Sequence, residues 1–160
     1  MNVKFLIYVF IVFVLVAATV YSLTNEREKP MFVNFIPRDK PSPYDWIKES
    51  QITVLNDRVI IYVQNPEWAT FTDTNSMDPL IDIGANAIQT IPKGEEDIHI
   101  GDIISYKEDN SNNIIIHRVI EINEDENGKY FITKGDNNSE PDPEKVRFNQ
   151  IRRVLVAVIY

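Results

Sequence analysis

Apolar and polar positions divide the chain into three stretches. Positions 5–23 are dominated by Phe, Ile, Val, Leu and Tyr, and positions 5–25 carry no charge. At about 1.5 Å per residue such a run reaches across a hydrocarbon core of about 30 Å. Residues 1–24 are therefore expected to form one transmembrane anchor. Lys4 followed by an apolar run with Ala17 and Ala18 also fits a cleaved export signal, but the run continues through Val20, Tyr21 and Leu23, which favours a retained span. Residues 25–42 mix charges with Pro30, Pro37 and Pro41, the composition of a semi-extended tether.

From residue 43 onward the period changes. Ser42 as N-cap, Pro43 at the first helical position and Asp45 in the first turn predict a short helix over 43–50. Short Ile- and Val-rich runs then predict strands at 52–55, 58–63, 69–72, 87–91, 102–106, 114–122, 129–133 and 152–160. Asn56-Asp57 and Asn127-Gly128 are the best hairpin turns, since both pairs tolerate left-handed backbone. The expected architecture is mainly β: a compact domain over 43–160 behind one N-terminal helix. Its last apolar run, 154–160, is too short for a second span.

Composition narrows the chemistry. The net charge of -8 and the lack of any Lys- and Arg-rich segment argue against a nucleic-acid partner. With no cysteine, the chain has no disulfide, thiolate zinc site or Cys nucleophile. No ligand-like spacing of His and carboxylates points to a metal, and no cofactor is expected. His99, between Ile98 and Ile100, reads as an exposed strand residue. Trp68 and Phe71 are expected in the core, with an apolar lip touching a membrane as the alternative.

Three clusters hold more polar chemistry than a packed β domain needs: Thr74-Asn75-Ser76-Met77-Asp78-Pro79, His117-Arg118-Val119, and Gly135-Asp136-Asn137-Asn138 with Asp142 beyond. A serine hydroxyl is a poor nucleophile until a base takes its proton and an acid orients that base. Ser76, His117 and Asp142 could fill those roles, although a bare Ser, His and Asp occur in most chains of this length.

The wording of these segments resembles the boxes of the type I signal peptidase family, in the Ser-His-Asp variety of archaea and the endoplasmic reticulum. Ser76-Met77-Asp78-Pro79, Gly101-Asp102-Ile103-Ile104, Ile116-His117-Arg118-Val119 and Lys134-Gly135-Asp136-Asn137-Asn138, followed by Asp142, stand in the family's order over residues 74–142. The resemblance implies a membrane-bound serine endopeptidase that removes N-terminal signal peptides from exported preproteins. It implies Ser76 as nucleophile, His117 as general base, Asp142 as the acid holding the imidazole, and Asp136 as a second supporting aspartate. Met77 and Pro79 would shape the substrate groove, which in the family selects small side chains.

One departure is the pair Thr74-Asn75, where the family often has Ser-Gly. The Thr74 hydroxyl could join the Ser76 backbone N–H in an oxyanion hole. The resemblance also implies a cell-membrane protein with an extracytoplasmic catalytic domain, although Arg27, Lys29, Arg38 and Lys40 beyond the span weakly favour the opposite orientation. Accessory subunits are left open. The rival readings are a protease dedicated to one precursor, an inactive peptide-binding or assembly subunit, and a self-cleaving regulator. The last would be expected to carry a DNA-binding segment, and none is evident.

Overall fold

A computed structural model describes residues 40–109 and 113–160, together with residues 5, 12 and 14–19. The chain divides into two units, Met1–Arg38 and Asp39–Tyr160, and every strand belongs to the second.

The described residues of the first unit are helical, and their longest continuous run is 14–19. Six residues span about 9 Å, against a hydrocarbon core of about 30 Å. Among the described residues no helix is long and apolar enough to cross a membrane. This corrects the expectation of an N-terminal transmembrane helix, and with it the single-pass membrane localisation. The rest of the predicted span and the tether over 25–39 lie outside the described residues.

The second unit is mainly β. β1 (Ile52–Val54) and β2 (Val59–Ile61) form an antiparallel hairpin. β3 (Glu67–Thr70), β4 (Asn86–Thr90), β5 (Ile103–Lys107), β6 (Ile114–Asp125), β7 (Gly128–Lys134) and β8 (Ile151–Ile159) form a six-stranded antiparallel sheet in the order β3-β4-β8-β5-β6-β7. The last strand in sequence thus lies between β4 and β5, joining the two halves of the sheet. All eight predicted runs are strands, with ends shifted by at most three residues.

The two-residue period of a strand explains how β5 is built. Ile103 packs into a cluster with Met77, Ile81, Ala87 and Leu155. Its neighbours Ile104 and Tyr106 pack into the other, with Val119, Phe131, Val146 and Val154. β7 alternates similarly, with Phe131 and Thr133 buried between more exposed positions. The β6–β7 turn centres on Glu126 and Asn127, and Gly128 takes the positive φ of 97°. Asn56 and Asp57 turn the first hairpin with neither at positive φ.

Residues 43–50 do not form the expected helix; the segment is irregular, with the Trp46 N–H donating to the Tyr44 carbonyl at 2.9 Å, up to a 3-10 turn at Glu49–Gln51. Its polar groups are committed to the domain instead. Asp102, fully buried, accepts hydrogen bonds from the Tyr44 backbone N–H (2.9 Å), the Trp46 indole (3.0 Å) and the His99 backbone N–H (2.9 Å). His99 lies in a loop, not a strand, and stacks on Tyr44 with ring centres 4.0 Å apart. Trp68, expected in the core, is 65% exposed, while Phe71 packs partly buried on the second cluster.

Gly101 lets this segment lie close. Its φ is 102°, and a Cβ there would come within 1.9 Å of the Ser42 carbonyl oxygen. Gly84 has a similar φ of 89° but open space around it. Gly84→Ala is therefore expected to lose about 1–2 kcal/mol from conformation alone, and Gly101→Ala distinctly more because backbone must also move. Urea unfolding midpoints of the two variants measure this; equal losses would show that the contact with Ser42 is not what requires glycine.

Candidate active site

Ser76 follows an unusual backbone residue. Asn75 has φ 56°, left-handed geometry that Asn tolerates better than other side-chain-bearing residues. Position 75 therefore holds a backbone conformation that glycine also adopts readily. After Ser76 the chain turns tightly, with the Leu80 and Ile81 N–H groups donating to the Met77 carbonyl at 3.0 and 3.1 Å. Met77 is 2% exposed and plugs this turn into the apolar cluster.

A second turn supports the first from outside. The Asn137 backbone N–H donates to the Ser76 carbonyl (2.9 Å), and the Asn137 side-chain amide donates to the Asn75 carbonyl (3.0 Å). Gly135 passes so close that a Cβ would meet the Ser76 carbonyl oxygen at 2.6 Å. Asp136 lies between them, and its two carboxylate oxygens accept a bidentate pair from Arg118 at 2.8 and 2.7 Å. Both side chains are nearly buried. The remaining Arg118 nitrogen donates to the Gly101 and Pro41 carbonyls, at 2.9 and 3.1 Å. Asp136 thus holds the turn that holds Ser76; its carboxylate meets Arg118 rather than His117.

Asp142 is the carboxylate that meets the imidazole. His117 Nδ1 lies 2.7 Å from Asp142 Oδ2, and the same oxygen accepts the Thr133 hydroxyl at 2.6 Å and the Tyr106 hydroxyl at 3.0 Å. The Asp142 backbone N–H donates to the Thr133 carbonyl at 2.8 Å, fixing the loop to β7. Burial alone would raise the Asp142 carboxyl; hydrogen bonds from His117, Thr133 and Tyr106 outweigh it and hold the group below its ordinary value. Burial, reinforced by the Asp142 charge, pushes the Tyr106 phenol well up, so it stays protonated and donates. An ionised Asp142 can only accept, so Nδ1 of His117 carries the proton and the neutral ring keeps its lone pair on Nε2.

Ser76, His117, Thr74 and Met77 line one cleft of about 720 Å³, with Phe71 and Ile116 on its apolar walls. Pro79 is exposed and outside this lining. The Ser76 hydroxyl is 3.3 Å from that of Thr74. Among the described residues no hydrogen bond joins Ser76 to His117, although the cleft brings them together; such bonds commonly tighten only when substrate binds.

Sequence reasoning passed over Tyr106, Thr133, Arg118 and Asn137 as site residues. Arg118 and Asn137 stood within the quoted boxes, whereas Tyr106 and Thr133 read as ordinary strand residues. The signal for those two was a polar group at an inward strand position, which needs a partner.

No family model and no solved structure matches the chain. A protein of Methanocaldococcus jannaschii described as uncharacterized is 52% identical over 44 residues, 28% of this chain and 22% of that protein. The match spans about a fifth of that relative.

The depressed Asp142 carboxyl has a stability consequence. A group whose folded value lies below its unfolded one stabilises the fold above the unfolded value, about 3.9, and that stabilisation is lost as pH falls through the folded value. Asp142→Asn should therefore be less stable than the parent at pH 7, with the gap narrowing below about pH 4. Chemical unfolding across pH 2–7 checks this; a gap independent of pH would show that the carboxylate's charge does not contribute.

Proposed function

We propose that this chain is a serine endopeptidase of the signal peptidase I kind, acting on the N-terminal signals of preproteins through an acyl-enzyme on Ser76. The observation that carries the reading is the 2.7 Å His117–Asp142 pair in the cleft that Ser76 also lines. An imidazole fixed through Nδ1 has Nε2 available to take the serine proton.

In this mechanism a peptide lies along the cleft and Ser76 Oγ attacks its scissile carbonyl as His117 Nε2 accepts the hydroxyl proton. The Ser76 N–H and the Thr74 hydroxyl stabilise the oxyanion. Protonated His117, stabilised by Asp142, gives its proton to the leaving amine, and the acyl group is then released to water that His117 activates. Free β-sheet edges support an extended substrate. β3 is an edge strand, and β6 pairs with β7 only from Arg118 onward, so residues 114–117 have β5 on one side and, among the described residues, no strand on the other.

A second reading, an inactive peptide-binding subunit, is favoured by the Thr74–Ser76 contact standing where a Ser76–His117 hydrogen bond would be. Cleavage of a synthetic preprotein by the purified full chain separates the two. Ser76→Ala and His117→Ala should each abolish it, and Thr74→Val should slow turnover about ten- to a thousandfold. Full cleavage by Ser76→Ala would end the serine mechanism.

A further inference from the structure

The floor of the cleft carries polar groups where two apolar clusters would lead one to expect hydrocarbon. Strand register explains how they meet. Glu67 on β3 pairs with Gln89 on β4, Gln89 pairs with Leu155 on β8, and two residues earlier on β8 Arg153 pairs with Ser105 on β5. Glu67, Gln89, Arg153 and Ser105 therefore form a band across four strands, and all four line the cleft that holds Ser76 and His117.

Three of these side chains have hydrogen-bonding capacity that the described residues leave unused. Gln89 and Ser105 are each 4% exposed, and among the described residues neither side chain has a hydrogen-bond partner. Arg153 gives one terminal nitrogen to Glu67 and the other to the Arg152 carbonyl at 2.8 Å, while its buried Nε–H has no acceptor. Leaving a buried donor unpaired costs stability, so the orphaned Arg153 Nε–H, with the unpartnered Gln89 amide and Ser105 hydroxyl beside it, suits a ligand that supplies acceptors.

The ligand's sign follows from the donors. Arg153 Nε–H, the Gln89 amide and the Ser105 hydroxyl can all donate. Arg152 and Arg153 both line the cleft, where Glu67 supplies the single carboxylate. Against a chain of net charge -8 this is a local excess of positive charge. A small apolar side chain would leave every donor unpaired; a carboxylate would satisfy two or more of them.

We propose that Gln89, Ser105 and Arg153 form a specificity subsite for an acidic side chain, Asp or Glu, of the bound peptide. The proposal rests on the reading that this cleft holds the peptide attacked by Ser76. The subsite lies on the sheet floor, so it selects which preprotein segment is presented without taking part in bond cleavage.

Direct binding tests it independently of catalysis. End-blocked octapeptides differing only in Glu, Gln or Lys at each position in turn are titrated, by fluorescence anisotropy, into the full chain carrying Ser76→Ala. The expected result is one position at which Glu binds about tenfold or more tighter than Gln, and Lys weakest. Adding Gln89→Leu, which keeps side-chain size, or Arg153→Met should reduce that preference below about threefold. Circular dichroism confirms the fold of each variant. Equal affinities for all three side chains at every position, no binding of any peptide, or a preference surviving both substitutions would overturn the subsite. Charge-selective binding without Ser76-dependent hydrolysis in the parent chain would leave the subsite standing and remove the protease reading; hydrolysis without charge preference would do the reverse.

Discussion

Asp142 Oδ2 receives hydrogen bonds from three different strands: Tyr106 on β5, His117 on β6 and Thr133 on β7. Those donors are brought round one point because β5, β6 and β7 are consecutive neighbours in the sheet. Without the carboxylate, a phenol, a threonine hydroxyl and an imidazole would be left at a buried position facing one another. With it, the imidazole has one tautomer and one orientation. The same contacts that fix the ring keep the carboxyl ionised despite its burial, so structure and chemistry rest on the same charge.

The turn that carries Ser76 depends on a second polar centre. Arg118 follows His117 on β6 and points its guanidinium to Asp136, Gly101 and Pro41. Asp136 sets the 135–138 turn, and that turn donates to the carbonyls of Asn75 and Ser76. Adjacent residues of one strand therefore serve the two halves of the site: His117 aligns with the acid, and Arg118 supports the backbone that carries the serine. A substitution at Arg118 acts through two layers of contact before it reaches Ser76. Its effect belongs to positioning rather than to chemistry.

The strands were legible because their signal is local. Alternating Ile and Val with turn residues between them is enough to place β1 to β8, and tertiary structure only trims the ends. The 43–50 segment misled because its capping pattern is also local, whereas what decides its conformation is the distant Asp102, which takes the Tyr44 and Trp46 donors. The N-terminal apolar run invited a spanning helix on length alone, and the described helical residues fall short of one. In the site, Ser76, His117 and Asp142 were found by the wording of their segments. Asp136 was legible as important but not as the partner of Arg118, since nothing in the sequence says which cation reaches which carboxylate. Gln89, Ser105 and Arg153 are separated by up to 64 positions in sequence, and only strand register joins them.

In the proposed mechanism Ser76 is a nucleophile made reactive by the His117–Asp142 pair. Intact-protein and peptide mass spectrometry after exposure to a fluorophosphonate tests it most directly, because such reagents capture activated serines whatever the natural substrate. A single adduct on Ser76 is expected, formed in the parent chain and lost in His117→Ala. No adduct on Ser76, or one formed as fast without the imidazole, would contradict it.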